Sequence, residues 1–466
     1  MPVIEKKHLL LRTKVLFVKF MMLTAATMGI VSCHSKHAIK DVNHVVVIYL
    51  ENHSFDNLYG QFEGADGLAK APKEKVTQLD ASGNKYGFLP SVTGYMSFPD
   101  NLPNNYFNID QYLSPVEEIP DVLHAFYQEQ MEIDGGKMDK YALYNSVYGN
   151  SGGLTMGYYQ TKLLPLYKMA SEYTLCDSFF HSAFGGSFLN HMWLIAAATP
   201  SFPNPPSSME AQLDASGKLK QDGQLTPDGF IVNTSFTKNS PHPKSADTTT
   251  LVPNLNLPTI GDRLSEKGIS WAWYSGGWND ATAGNPAPTF QFHHQPFAFF
   301  AKYADGTQGR KEHLKDEQDF LVSAKNGTLP AVSFVKPLGK YNEHPGYAVL
   351  EEGEKHTLDL INAVLDGPDG KDAVIIVTYD EHGGFWDHVT PPVVDKWGPG
   401  TRVPTIIISP FAKRGFVDHT QYETVSILSF IEKRWGLQPL SSRDQNANPF
   451  KNAFDFTDYS QASGNN

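Results

Sequence analysis

The chain has 466 residues, 41% hydrophobic and 12% aromatic, with a formal net charge of −12. That much apolar material allows a large packed core and excludes a disordered chain. The acidic balance argues against a nucleic-acid-binding surface and gives no reason to expect attraction to anionic lipid.

Lys6, Lys7, Arg12, Lys14 and Lys19 make the N-terminus basic, and an apolar run follows from Phe20 to Val31. The run is too short to span a bilayer comfortably and suits the core of a signal peptide. It ends in Ile30-Val31-Ser32-Cys33, which resembles a bacterial lipoprotein cleavage box. Residues 1–32 are therefore expected to be a leader, with Cys33 lipidated. The protein would be exported: periplasmic, or a lipoprotein held by its anchor on the membrane of the bacterial envelope, with secretion as a further alternative. An ordinary signal peptide with an incidental cysteine is the plainer alternative. Of the two cysteines only Cys176 is left, so no intrachain disulfide is available, and its apolar surroundings suit a core residue.

His44 to Leu50 is apolar and β-branched enough for a fully buried strand, and it runs straight into Glu51-Asn52-His53-Ser54-Phe55-Asp56. Residues 70–120 are rich in Pro, Asn, Gly and Ser and predict long surface loops. The spacing over 154–173 predicts a helix, kinked or broken at Pro165. A short strand is expected over 175–180, then a glycine turn at Ala183-Phe184-Gly185-Gly186-Ser187 opening a helix over 188–198. Residues 200–258 lose periodicity and suggest a cap or insertion. Strands follow at 270–274 and 331–335, a helix at 352–365, strands from 373 and over 405–408, and a closing helix at 421–435. Strands alternating with helices predict an α/β fold: a largely parallel central sheet sandwiched by helices. The catalytic domain would span 41–445, with a C-terminal tail over 446–466.

The densest chemistry follows the strand that begins at 373. Asp380-Glu381-His382-Gly383-Gly384-Phe385-Trp386-Asp387-His388 places two acids where the strand ends, with no basic residue beside them in the sequence. In open α/β sheets that end is where ligands bind, and such a group of acids calls for a cation. Glu51-Asn52 mirrors it past another strand; capping explains the Asn but not the Glu. Two strand ends each delivering two oxygen ligands suit one divalent ion, with Ca²⁺, Mg²⁺ and Zn²⁺ all admissible. Ser187 at a helix start sits among free N–H groups, fit for an anion or for a nucleophile, although a plain capping serine is the commoner case. Asn190 and His191, one turn on, can face the same pocket. The Gly-x-Ser-x-Gly elbow is absent, which disfavours carboxyl-ester chemistry. Of the 17 histidines, His124, His293, His294, His344, His382 and His388 fall in loops or at element ends. Only one of the adjacent His293 and His294 is expected to face a site.

Taken in order, these segments resemble the bacterial phosphoesterase family of phospholipases C and acid phosphatases, a branch of the alkaline-phosphatase superfamily. The resemblance rests on Glu51-Asn52-His53-Ser54-Phe55-Asp56, Tyr379-Asp380-Glu381-His382-Gly383-Gly384-Phe385-Trp386-Asp387-His388 and Gly185-Gly186-Ser187-Phe188-Leu189-Asn190-His191. Asp121 to Asp139 with His124, His293-His294-Gln295-Pro296-Phe297 and Glu343-His344-Pro345 add to it. It implies an alkaline-phosphatase-like fold. Glu51, Asn52, Asp380 and Glu381 would bind the metal, with Ser187 completing its shell. His124, His294 (or His293) and His344 would hold phosphate oxygens or serve the leaving group. Asp387 and His388 would support the site from behind. The family's phospholipases carry Gly-Pro-Thr-x-Pro-Asn-Arg where this chain has Gly-Gly-Ser-Phe-Leu-Asn-His, so Ser187 is closer to the acid-phosphatase branch. The expected activity is a metal-dependent, acid-phosphatase-like ester hydrolase acting through a phosphoserine, with a phosphate ester or phospholipid as substrate. The rivals are a phospholipase C and, outside enzymes, a lipid-anchored binding protein with a decayed site. A sulfatase or phosphonate hydrolase would need Cys or Thr beside an Arg.

Overall fold

The computed structural model describes residues 37–458 except 96, 148 and 150. The expected leader, residues 1–32, and Cys33 lie outside the described residues.

The apolar runs assemble into an eight-stranded sheet. Its strands are β1 (His44–Leu50), β2 (Thr174–Cys176), β3 (Trp271–Ser275), β4 (Leu314–Asp316), β5 (Val332–Lys336), β6 (Ala373–Tyr379), β7 (Thr405–Ile408) and β8 (Phe416–Asp418). They lie in the order β4-β3-β5-β1-β6-β7-β2-β8. Every pairing is parallel except the two made by β7. The α/β class with a largely parallel sheet is therefore the one the chain adopts. All of β6, and all of β1 after His44, is buried. A strand covered on both faces needs no polar alternation, which is why these segments read as continuous Val/Ile runs.

The helices that matter for the site are α1 (Phe126–Ile133), α2 (Ser187–Ala196), α3 (Leu350–Leu365) and α4 (Thr424–Trp435). α2 is buried along its whole length. Among the described residues no helix is long and apolar enough to cross a membrane.

Three local expectations are corrected. The 154–173 helix is not formed: short 3₁₀ turns at Gly152–Met156 and Thr161–Leu163 and a bridge strand at Gly157–Tyr158 precede a helix at Tyr167–Glu172. Gly157 explains part of this, because a Cβ there would lie 2.6 Å from Ile109 Cγ1 and the backbone must pass close. The strand expected over 175–180 is two strands: β2, and Phe179–Phe180, which pairs with Tyr422–Glu423 instead. That pairing also delays the closing helix, which starts at Thr424 rather than 421. Residues 200–258 form no α-helix; a two-stranded ribbon of Gln212–Leu213 and Leu219–Gln221 and several isolated bridges hold them together. Leu225, Ile231 and Val252 anchor this segment in the core. Near the C-terminus Phe450, Ala453 and Phe454 are buried as well.

Candidate active site

β5, β1 and β6 are neighbours, run parallel and end on one edge of the sheet. Tyr379 pairs with Leu50, so Asp380 follows beside Glu51. Val335 pairs with Ile48, which brings Lys336 to the same edge. Beyond Leu50 the chain turns through Asn52 at φ 69, a left-handed conformation that Asn tolerates better than most residues. Beyond Asp380 it turns through Gly383 at φ 65. A Cβ on Gly383 would lie 2.1 Å from the Asn52 carbonyl oxygen, so only glycine lets the two strand ends close on one another.

Ser187 reaches the same place from α2, whose first residue it is. Gly185 makes the turn before it, at φ 84 and with no room for a Cβ against the Phe126 backbone N, 2.4 Å away. Glu129 of α1 fastens this turn, accepting from the Gly185 N–H at 2.6 Å and the Thr401 N–H at 2.8 Å, with His181 Nε2 at 2.9 Å. Asn190 does not face the pocket. Its Oδ1 accepts from the Ala183 N–H at 3.1 Å and its Nδ2 donates to the Ala183 carbonyl at 3.0 Å. His191 donates from Nδ1 to the Ser187 carbonyl at 2.7 Å and lies 3.7 Å from Asp380 Oδ2, so it forms the floor of the site.

With these turns in place, Ser187 Oγ stands 3.3 Å from Glu51 Oε2 and 3.4 Å from Asn52 Oδ1. Asp380 Oδ1 accepts from the Glu381 N–H at 2.8 Å and Glu381 Oε2 from the Gly383 N–H at 2.5 Å. The other oxygens, Asp380 Oδ2 and Glu381 Oε1, are buried with no hydrogen-bond donor. Burial first, and then Glu51, pushes the Asp380 carboxyl well above its ordinary range. Burial and then Asp380 do the same to Glu381. Burial also works to raise Glu51, but His294 and Lys336 outweigh it and hold its carboxyl well below normal.

Three of the expected histidines converge here. His294 Nε2 lies 2.6 Å from Glu51 Oε1, and burial pushes its pKa down to about 4. His293 stands behind it, ring edge to ring face at 4.5 Å, so His294 is the member of the pair that reaches Glu51. His344 Nε2 is 3.9 Å from Glu51 Oε2, while its Nδ1 donates to the Pro345 carbonyl. His124 donates from Nδ1 to the Val122 carbonyl at 2.6 Å, and its Nε2 accepts from Asn52 Nδ2 at 3.2 Å. His124 and His344 thus have Nδ1 anchored and Nε2 directed inward, a tautomer fixed by the backbone.

No basic residue adjoins these acids in the sequence, but the fold brings one, Lys336, beside them. Fully buried, its Nζ is 2.5 Å from Glu51 Oε1 and 3.6 Å from Asp380 Oδ2. The one trace it leaves in the sequence is that a charged residue closes the apolar run of β5, as Glu51 and Asp380 directly follow those of β1 and β6. Glu129, the clasp of the serine turn, has no such signal.

The donor set fits a divalent ion. Glu51, Asn52, Ser187, Asp380 and Glu381 offer oxygens only; three of these, Glu51 Oε1, Asp380 Oδ2 and Glu381 Oε1, are buried carboxylate oxygens outside any hydrogen bond, and three carboxyls exceed the charge of one lysine. His382, Asp387 and His388 stay outside. His382 Nε2 is 3.6 Å from Glu129 Oε1, while Asp387 and His388 join Asp56 and Arg402 in a separate buried network. A polar cleft of about 460 Å³ opens against His124 and Gly186, walled by Ser208, Asp222, Gln224 and Asn233 of the 200–258 segment.

Known proteins bear on this geometry. The chain is similar to a protein named non-hemolytic phospholipase C of Burkholderia pseudomallei, 24% identical over 89% of this chain and 58% of that one. It is similar to phospholipase C B of Mycobacterium tuberculosis, 23% identical over 86% of this chain and 74% of the relative. Non-specific phospholipase C1 of Arabidopsis thaliana is 23% identical over 96% and 77%. The chain therefore spans little more than half the length of the Burkholderia relative. Among solved structures, a protein of the alkaline phosphatase superfamily from Vibrio parahaemolyticus aligns over 69% of each chain at 11% identity with a TM-score of 0.30. The pattern of the Phosphoesterase family matches residues 42–438, nearly the whole described chain, and the chain belongs to that family.

Proposed function

We propose that this chain is a metal-dependent phosphoric ester hydrolase, acid-phosphatase-like, that works through a phosphoserine at Ser187. The observation that carries the reading is Ser187 Oγ at the first turn of α2, 3.3 Å from Glu51 and 3.4 Å from Asn52, opposite two acids with an unpartnered oxygen each. A divalent ion held by these oxygens would supply positive charge to the phosphoryl group and favour the alkoxide form of the serine. Glu51, Asn52, Asp380 and Glu381 would hold it.

The residues themselves do the rest. Ser187 Oγ attacks phosphorus in line, forming the Oγ–P bond as the ester P–O bond breaks. The N-terminal N–H groups of α2 and the inward Nε2 atom of His344, when protonated, stabilise the equatorial oxygens. His124 borders the polar cleft, and its side chain is 18% exposed, the most open of the three. It is the residue placed to protonate the leaving alcohol from Nε2, an assistance commonly of about 10²–10⁴-fold. Water then attacks the phosphoserine from the side the alcohol left, returning the serine and releasing phosphate.

Ser208, Asp222, Gln224 and Asn233 on the cleft wall can hydrogen-bond a hydrophilic group, which supports a small phosphomonoester over a lipid. Phospholipase C activity is the second reading, supported by the names of the relatives. Export and lipid anchoring at Cys33 belong to the same proposal, on the strength of the N-terminal sequence. Side-by-side assays of p-nitrophenyl phosphate and a phosphocholine diester separate the two substrates. Ser187→Ala should lower turnover by more than about 10³-fold while leaving the unfolding temperature within a few degrees. Unchanged turnover in that variant removes the nucleophile from the scheme.

A further inference from the structure

We propose that Asp222 selects substrates by charge: the cleft takes phosphomonoesters of uncharged, hydroxyl-bearing alcohols and turns away those whose alcohol carries a carboxylate or a second phosphate. The inference rests on reading the cleft beside His124 as the place of the leaving alcohol.

Among the described residues that line this cleft, Asp222 is the one acid, and none is a lysine or an arginine. The carboxylate is fixed from three sides. Oδ1 accepts from the Gly223 N–H at 2.8 Å and from Asn233 Nδ2 at 3.2 Å, and Oδ2 accepts from Gln128 Nε2 at 2.8 Å. Asn233 is tied in turn to the segment that carries His124, since its Oδ1 accepts from the Phe126 N–H at 3.1 Å. All three donors to Asp222 are neutral amides, so they hold the carboxylate in place without cancelling its charge. Lys218 and Lys220, a few residues earlier, are exposed and do not line the cleft. His124, the other ionisable group of the lining, gives up its charge with the proton it hands to the alcohol.

A fixed negative charge at this place opposes the phosphoryl group of every substrate alike. It opposes a second anion in addition, and only where the alcohol bears one. Between Asp222 and a unit charge roughly 6–8 Å away, Coulomb repulsion in a solvent-filled cleft amounts to about three- to tenfold in selectivity. For hydroxyl groups the wall is hospitable. The side chains of Ser208, Gln224 and Thr234 make no hydrogen bond to other described residues, and each can donate as well as accept.

The test compares glycerol 3-phosphate with 3-phosphoglycerate, monoesters that differ by one carboxylate on the alcohol, on the full-length, metal-loaded protein. At low salt the wild type should show kcat/KM about three- to tenfold higher for glycerol 3-phosphate, and the ratio should approach one at about 1 M salt. In Asp222→Asn the ratio should be close to one already at low salt, whatever happens to overall activity. The exchange keeps the shape of the wall, because Gln128 Oε1 is buried without a partner and its amide can turn to accept from the new side chain. A purely structural role for Asp222 would move both substrates together and leave the ratio at its wild-type value; that result overturns the inference. A wild type that hydrolyses the two esters equally, or prefers 3-phosphoglycerate, overturns it as well. Should the variant fail to fold, the salt series decides on the wild type alone: a preference that fades with salt upholds selection by charge, and one that stays level overturns it. A wild type that hydrolyses neither ester refutes the phosphomonoester reading itself, and the inference falls with it.

Discussion

Two buried acid clusters sit a few residues apart in the chain, and only one of them is satisfied. In the first, Arg402 donates from Nε to Asp387 Oδ1 at 2.9 Å and from Nη2 to Asp387 Oδ2 at 3.1 Å and Asp56 Oδ1 at 3.3 Å. Asp56 Oδ2 takes the His388 N–H at 2.9 Å and His388 Nδ1 at 2.6 Å. Every carboxylate oxygen there has a donor. In the second cluster, Asp380 Oδ2 and Glu381 Oε1 have none, and the lone ammonium is shared with Glu51. Both clusters tie the 51–56 segment to the 380–388 segment. The first uses its charges to join them; the second leaves charge unspent, facing a serine. Burial alone does not mark a functional acid, and neither does an oxygen without a donor, which Glu132 and Glu432 also carry; what sets this cluster apart is that it faces a serine.

Substitutions should separate the two. Arg402→Ala strands Asp56 and Asp387 without their cation and should lower stability by about 3–5 kcal/mol, the largest effect expected, measured by urea unfolding. A loss under about 1 kcal/mol would mean that the joint is made elsewhere. Gly383→Ala comes next, at about 1–3 kcal/mol or more, because the left-handed φ and the 2.1 Å approach to Asn52 O must both be relieved. It should also weaken zinc binding at least tenfold, since the two strand ends move apart. Zinc affinity as in the wild type would dissociate the turn from the site.

What the sequence discloses follows the same division between local and shared features. β1, β6 and β7 are legible because strands buried on both faces announce themselves as Val/Ile runs. β4 and β8 are three residues each, Leu314-Lys315-Asp316 and Phe416-Val417-Asp418, too short and too charged for such a signal. The 154–173 segment has helical spacing, yet Gly152, Gly153, Gly157 and Pro165 and the close packing on Ile109 break it into 3₁₀ turns. In the site, Glu51, Asn52, Asp380 and Glu381 are legible because each directly follows a strand. Lys336 is not, because its meaning depends on β5 lying beside β1, a pairing of segments far apart in the chain. Asn190 misleads for the opposite reason: a polar residue one turn from Ser187 points by helical period toward the pocket, but the Ala183 backbone claims its amide.

The sign of an acid-to-amide change sharpens the contrast further. Asp56→Asn should destabilise the protein by about 1–3 kcal/mol, because the Arg402 and His388 donors lose a charged acceptor. Asp380→Asn should instead stabilise the metal-free chain by roughly 1 kcal/mol, by removing one of two mutually repelling buried carboxyls, while lowering zinc affinity at least tenfold. Thermal unfolding of stripped and loaded protein reads both. Destabilisation of the stripped Asp380→Asn protein would place that acid with the structural cluster.

The smallest expected effect is a change in pH dependence. Asp380 and Glu381 have their pKa raised, by burial first and then by the neighbouring carboxylates, Glu51 for the former and Asp380 for the latter. Groups raised in this way bind more protons folded than unfolded. In the stripped chain their contribution is therefore favourable below the ordinary carboxylate range and is lost as pH rises through their raised values. A bound divalent ion favours the charged form and cancels that loss. The gap in unfolding temperature between loaded and stripped protein should then widen from about pH 5 to about pH 8, where free carboxylates are fully ionised. Glu354 is pushed up to about 8 by burial, but it accepts from the Leu166 N–H away from the site, so it titrates in both forms and drops out of the difference. In Asp380→Asn one of the two titrating acids is gone, and the widening should shrink by a corresponding share. A gap that stays level across this range in the wild type would mean that the unpartnered oxygens are not the ones the ion meets.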